Sequence, residues 1–256
     1  MQTGQAKPVF ALMGEFSAGK STLANLLIGA GVSPVKVTAT QLPPVWFQHG
    51  TGNPVVVDLA GNETEIPIEA LEEVSVADTQ YVRVFVEAEL LEIIDLMDMP
   101  GNSDPNMSAE VWRRAVHHAN GVIWCSHATQ AWRQSEAAVW EDLPETLHAT
   151  SILLLTRFDK IKTDLDKMRV LRRVRAEAAG QFHSILPISL LEAATAEDRA
   201  QWEASGAETF LHALLDIAMG VTVEPPQPTA LEPAGNVLPR RVARRDPADA
   251  AARPRS

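Results

Sequence analysis

The stretch Gly14-Glu15-Phe16-Ser17-Ala18-Gly19-Lys20-Ser21 constrains this chain more than any other. It fits G-x-x-x-x-G-K-[ST], the phosphate-binding loop. The apolar run Val9-Phe10-Ala11-Leu12-Met13 precedes it and reads as a buried parallel strand. Thr22-Leu23-Ala24-Asn25-Leu26-Leu27 follows, with Leu23, Leu26 and Leu27 on one helical face. A glycine loop between strand and helix is the context that phosphate binding requires. Gly14 and Gly19 let the backbone turn with its N–H groups inward, around phosphate oxygens. The helix opened by Thr22 and Leu23 presents its positive dipole end to the same anion. Lys20 can reach the β- and γ-phosphates, and the Ser21 hydroxyl can ligate Mg²⁺. The loop implies a nucleoside triphosphate and leaves the base open.

Four later segments extend that reading. The loop Gly29 to Thr40 carries Thr38-Ala39-Thr40, about where a GTPase places the switch I threonine that meets Mg²⁺ and orients the attacking water. Thr38 and Thr40 are both candidates. The apolar run Leu90 to Met97 reads as a strand ending in Asp98-Met99-Pro100-Gly101, a D-x-x-G element. In such an element the aspartate holds Mg²⁺ through water and the glycine N–H senses the γ-phosphate. Ser151 to Leu155 reads as another buried strand, ending in Thr156-Arg157-Phe158-Asp159-Lys160. This fits [NT]-K-x-D with arginine in the lysine position. An aspartate there accepts two hydrogen bonds from guanine N1 and N2 while the cationic side chain lies across the ring. Adenine offers no such pair of donors, so Asp159 points to GTP and GDP over ATP. The strand expected over His183 to Ser189 ends in Ser189-Leu190, where backbone N–H groups would close the base pocket.

Between these segments the chain alternates strand and helix patterns. Pro43 to Gln48 and Pro54 to Leu59, joined by His49-Gly50-Thr51-Gly52-Asn53, read as a β-hairpin. A short acidic helix is expected from Pro67 and an alternating strand over Tyr81 to Val86. Ser108 is placed to cap a helix through Val116, with His117-His118 on its solvated face. Gly121 to Ser126 reads as a strand in which Cys125 is a small core residue. Ala131 to Trp140 reads as a helix with Trp132 and Trp140 in the core, Leu165 to Phe182 as a basic amphipathic helix, and Leu191 to Met219 as helices broken near Ser205-Gly206. The fold class that results is α/β: a P-loop NTPase with a doubly wound, mostly parallel sheet and a hairpin and helix insertion. Residues 1–220 form the expected nucleotide-binding domain. Residues 221–256, with seven of the 17 prolines and six arginines, read as a disordered tail able to contact an acidic partner or membrane surface.

Composition narrows the class. A net charge of −11 argues against nucleic acid as partner. The single cysteine excludes a disulfide framework, and no apolar run approaches the ~20 residues needed to span a bilayer. With no signal-peptide pattern at the N-terminus, the expectation is a cytoplasmic protein.

The run Gly14 to Leu27, Asp98-Met99-Pro100-Gly101, Ala128-Thr129-Gln130 and Thr156-Arg157-Phe158-Asp159-Lys160 together resemble the GTPase domain of the dynamin superfamily, especially its bacterial members, over about residues 7–220. The resemblance implies that Lys20 and Ser21 hold phosphates and Mg²⁺, and that Thr40, which precedes Leu42-Pro43 in the family's T-x-x-P spacing, is the switch I threonine. It further implies that Asp98 and Gly101 form the switch II pair and that Thr156, Arg157 and Asp159 read guanine. Members of that family dimerise across the nucleotide, and Ser17 could help hold a K⁺ or Na⁺ ion in place of an arginine finger. Phe16 departs from the polar glutamine of eukaryotic members. No helical stalk is expected within this length, so the implied assembly is a nucleotide-dependent homodimer or a hetero-oligomer with a larger dynamin-like protein, with peripheral membrane contact through the basic helix Leu165 to Phe182 or the tail. Either the chain is a Mg²⁺-dependent GTPase activated by dimerisation, or it is a GTP-bound scaffold with negligible turnover; an ATPase is the third reading.

Overall fold

The computed structural model describes residues 7–29, 43–100 and 115–222. Strand β1 (Val9–Gly14) is buried along its whole length, as six nearly all-apolar residues require when both faces of a sheet are covered. The other strands are β2 (Val45–His49), β3 (Val55–Asp58), β4 (Glu63–Glu65), β5 (Thr79–Val86), β6 (Asp95–Asp98), β7 (Gly121–His127), β8 (Ile152–Thr156) and β9 (Ser184–Pro187). The helices, numbered in chain order among the described residues, are α1 (Lys20–Ile28), α2 (Leu90–Ile93), α3 (Gln134–Glu141), α4 (Asp164–Glu177), α5 (Leu190–Ala194), α6 (Arg199–Ala204) and α7 (Ala207–Gly220). The strands form one sheet in the order β4-β3-β5-β2-β6-β1-β7-β8-β9. Pairing is parallel from β6 through β1, β7 and β8 to β9 and between β2 and β5, and antiparallel at β2–β6, β3–β5 and β3–β4.

Alternation along β1 feeds two separate apolar layers. Phe10 and Leu12 pack with Leu23 and Ile28 of α1 and with Phe210, Leu214 and Ile217 of α7. Val9, Ala11 and Met13 face the other way, toward Trp124, Trp140, Leu153, Leu155 and Val174. Successive strand side chains point to opposite faces, so helices on both sides follow from the pattern. This is the expected doubly wound sheet, and it places the C-terminal ends of β6, β1, β7 and β8 side by side.

Several local expectations are corrected. The hairpin between the segments around Trp46 and Val56 does not form, because β5 lies between β2 and β3 and pairs with both. With eight residues and buried Thr79, Val82, Val84 and Val86, β5 is the better partner for each. The hairpin in this insertion is β3–β4 instead. Its turn is made by Asp58, whose carboxylate accepts from the Ala60 and Asn62 backbone N–H groups at 2.8 Å each. The apolar run from Leu90 divides into α2 and β6, since Ile94 ends the helical turn in extended backbone. The helix expected from Ala131 starts only at Gln134, because Trp132 adopts φ 56. Both Trp132 and Trp140 are nonetheless core residues, as expected. The helices after Leu191 break at Gly206 as expected and also between Ala194 and Arg199. His117 is exposed, but His118 is half-buried in an aromatic triangle with Trp46 and Tyr81, at ring separations of 5.5 and 5.2 Å. The outer face of α4 is solvated, with ion pairs such as Arg173–Glu177 at 2.7 Å. The helix expected after Ser108 and the tail beyond residue 222 fall outside the described residues.

Candidate nucleotide-binding site

The phosphate-binding loop leaves β1 at Gly14, where side-chain room is absent. Gly14 has φ +135, and a Cβ there would sit 2.1 Å from the carbonyl oxygen of Cys125 on the paired strand β7. Only glycine satisfies both the dihedral and the close approach. The loop turns through an Ala18 N–H to Glu15 O bond of 3.2 Å and through positive φ at Ser17 (59) and Gly19 (97). The helix begins with Leu23 N–H donating to Gly19 O at 2.8 Å. Phe16 stands 60% exposed at the loop's tip. Ser21 is half-buried and Thr22 exposed in the first turn of α1.

Lys20 is only 6% exposed. Its Nζ donates to Gly14 O at 3.0 Å and to Glu15 O at 2.9 Å, which spends two of an ammonium's three donors. Burial lowers its pKa, while the charges of Asp98 and Cys125 oppose that fall. Asp98 closes β6 beside β1, in register with Leu12, and is 4% exposed. Its Oδ1 has no hydrogen-bond partner among the described residues. Burial pushes its carboxyl up to about 6, with Lys20 pulling the other way. Asp95, at the opposite end of the same strand, is a structural carboxylate: Lys7 pairs with it at 2.9 Å and Gln48 Nε2 donates to it at 2.6 Å. A buried carboxylate with an unpaired oxygen beside a buried lysine fits a hydrated cation, because it lacks the partner that burial demands. Cys125, fully buried under Gly14, has its thiol pushed up to about 12 by burial, so it is the inert core residue expected.

The segment from Thr156 to Lys160 is bonded directly to the loop. Thr156 is fully buried, and its Oγ1 lies 2.7 Å from Ala18 O and 3.3 Å from Ser126 O. Arg157 adopts φ 53, and its Nη2 donates to Ser17 O at 3.0 Å. Asp159 Oδ1 accepts from Ser189 Oγ at 3.2 Å, and its Oδ2 lies 3.0 Å from Lys160 Nζ. Burial works against ionisation of Asp159, but the bonds to Lys160 and Ser189 outweigh it and hold the carboxyl below its usual range. Ser189 also caps α5, accepting from Glu192 N–H at 3.4 Å. Leu190 closes over Gly19: a Cβ at that glycine would stand 3.0 Å from its Cδ1. A cavity of about 370 Å³ opens beside Asp159 and Ser189, lined also by Phe158, Lys162, Lys167 and Glu192.

The structure thus brings together Gly14 through Thr22, Asp98, Thr156, Arg157, Asp159, Lys160, Ser189 and Leu190. Thr40, its alternative Thr38, and Gly101 lie outside the described residues. Two contacts of Glu15 were not legible in the sequence. The Glu15 carboxylate accepts from Ser135 Oγ at 2.9 Å and pairs with Arg133 at 3.3 Å. No local pattern joins residues 120 positions apart.

A glycine loop from the central strand, a lysine folded back over it, and acidic residues at the ends of β6 and β8 define a P-loop nucleotide-binding protein of the GTPase type. The sequence profile of the Dynamin family matches residues 10–158, and the chain belongs to that family. It is 27% identical over 221 residues to Dynamin-like protein 2 of Campylobacter jejuni, covering 84% of this chain and 36% of that protein. It is 32% identical over 127 residues to the isoniazid-induced protein IniC of Mycobacterium tuberculosis, covering 46% of this chain and 26% of that one. A solved structure described as an oligomerised bacterial dynamin pair, with a mechanism for the long-range sensing and tethering of membranes, superposes with a TM-score of 0.59 at 26% identity, covering 83% of this chain and 35% of its own. Era of Aquifex aeolicus bound to GDP and AlF4⁻ shares the fold, with a TM-score of 0.51 at 17% identity over 87% of this chain and 60% of its own. The chain spans about a third of the length of the first of these relatives.

Proposed function

We propose that this protein is a Mg²⁺-dependent GTPase whose turnover rises when two copies meet across the nucleotide. The observation that carries the reading is the hydrogen bonding of Thr156 and Arg157 to the carbonyls of Ala18 and Ser17. It makes the base-reading and phosphate-reading segments one rigid unit. Loop N–H groups and the start of α1 would cradle the phosphates, and the third donor of Lys20 is available to a phosphate oxygen. Asp159, held ionised, would accept the two guanine donors. Ser21, Thr40 and, through water, Asp98 would hold Mg²⁺, which would supply neutralisation of the phosphate charge. Catalysis here is positional and electrostatic: Lys20 stabilises developing charge, Thr40 orients the attacking water, and Ser17 helps hold K⁺ or Na⁺.

The partner would be a second copy or a larger dynamin-like protein. Support comes from the relative described as an oligomerised pair that senses and tethers membranes. Cytoplasmic residence with peripheral membrane contact fits that relationship. Among the described residues no helix is long and apolar enough to cross a membrane. Residues 1–220 would be the GTPase domain and residues 221–256 the tail.

The second reading, a GTP-bound scaffold with negligible turnover, is favoured by one feature. The exposed Phe16 offers no polar side chain to hold a water at that position of the loop. Turnover per molecule, followed against protein concentration with GTP, Mg²⁺ and K⁺, separates the two. A rate that climbs with concentration supports the enzyme; a rate flat and near zero supports the scaffold. If Lys20→Ala binds GTP as tightly as the wild type, both readings fail.

A further inference from the structure

We propose that Arg133 and Ser135 are positioning residues for the phosphate-binding loop, acting through Glu15. The proposal rests on reading that loop as the GTP site. Glu15 faces two ways. Its carboxylate accepts from Ser135 Oγ at 2.9 Å and pairs with Arg133 Nη1 at 3.3 Å. Its carbonyl accepts from Lys20 Nζ at 2.9 Å and from Ala18 N–H at 3.2 Å. Fixing the side chain therefore fixes the peptide that aims the lysine.

The other end of this strut is anchored in the core. Glu136 is 2% exposed, and its carboxylate accepts from Trp124 Nε1 at 3.1 Å, Ser126 Oγ at 3.0 Å and Arg133 N–H at 3.0 Å. Ser126 Oγ in turn accepts from Trp132 N–H at 3.0 Å. Arg173 Nη2 donates to Ala131 O at 2.9 Å. The backbone is thus pinned at three consecutive residues, 131 to 133, immediately before the side chains that grip Glu15. A charged contact offered from a fixed frame loses little entropy on forming. The grip is half-exposed, with Arg133 46% and Glu15 23% accessible in their side chains, so its effect is modest rather than all-or-none.

The test uses the full chain. Hydrogen exchange of the amides from Phe16 to Gly19 is measured without nucleotide, and the affinity for a fluorescent GTP analogue with Mg²⁺ is measured separately. The variants are Arg133→Ala/Ser135→Ala, Glu15→Ala, the triple combination, and Arg133→Lys. The double variant and Glu15→Ala should each speed loop exchange and weaken binding about fivefold. Combining them should add nothing further, because both remove the same contact. Arg133→Lys should recover most of the affinity, which a general packing defect would not allow. Losses that add, or unchanged loop exchange, overturn the proposal. A wild-type protein that binds no GTP defeats the reading of the site instead, while the exchange data still decide the strut.

Discussion

Replacing Asp98 by asparagine should make the nucleotide-free, Mg²⁺-free protein more stable at neutral pH. Burial raises this carboxyl from 3.8 to about 6, with the attraction of Lys20 already included. A displacement of about two pH units, at 1.36 kcal/mol each, makes the ionised form cost about 3 kcal/mol at neutral pH. The sign follows from linkage. Between the unfolded and folded values the native state binds the extra proton, so this group's contribution to stability is greatest at low pH and is lost as pH rises through about 6. Asparagine keeps the shape without the charge and leaves a buried amide incompletely paired, which returns roughly 1 kcal/mol. The net gain is about 2 kcal/mol above pH 6, or roughly 4–8 °C in Tm for a domain of this size. Chemical denaturation of both proteins in EDTA, from about pH 4 to pH 8, isolates the effect from other carboxylates. The gap should close toward the acid end. Adding Mg²⁺ and GTP should reverse the order, since a ligand stabilises only the form that binds it. An Asp98→Asn variant that is less stable than the wild type at neutral pH, or a gap independent of pH, refutes the reasoning.

Gly14→Ala should lose more than about 3 kcal/mol, because both φ +135 and the 2.1 Å approach to Cys125 O forbid a Cβ; a variant with wild-type urea stability would contradict this. Thr156→Val keeps shape but removes the bond to Ala18 O, with an expected cost of about 1–2 kcal/mol in stability and about tenfold in GTP affinity, read by calorimetry. Asp159→Asn should relax the preference for GTP over ATP in competition binding. Because the effect of burial on that carboxyl is outweighed by Lys160 and Ser189, which hold it below its ordinary range, the wild-type preference should stay constant between about pH 8 and pH 5. A preference that decays across this interval would show Asp159 titrating and would count against its role.

The parts of this fold that were legible are those whose cause is local. Val9 to Met13 and Ile152 to Leu155 are continuous apolar runs, and such runs become strands covered on both faces. Gly14 and Gly19 sit where the backbone needs conformations closed to other residues. Strand pairing was less legible, since adjacency in sequence made β2 and β3 look like a hairpin while β5, some twenty residues later, competes for both. The run from Leu90 carries no periodic signal to divide helix from strand. Trp132 in the left-handed region is held by burial of its ring and by the Ser126 hydroxyl, which tertiary structure alone supplies. For the same reason the site's long-range bonds, from Glu15 to Arg133 and Ser135 and from Ser17 to Arg157, emerge only once the sheet has brought the strand ends together.

The fit of Gly14 against Cys125 has one more consequence. The chain's single thiol lies in the apolar layer between the sheet and the helices α1 and α7, on the strand next to the one that carries the phosphate-binding loop, and with its ionisation pushed up to about 12 it is unreactive while that layer is closed. Alkylation proceeds through excursions that open this layer, which α1, the helix that follows the loop, helps to cover. Its rate is therefore a clock for the opening of the loop's foundation, read at one sulfur atom that the chain already carries. GTP, by bracing the loop from above, should slow that clock.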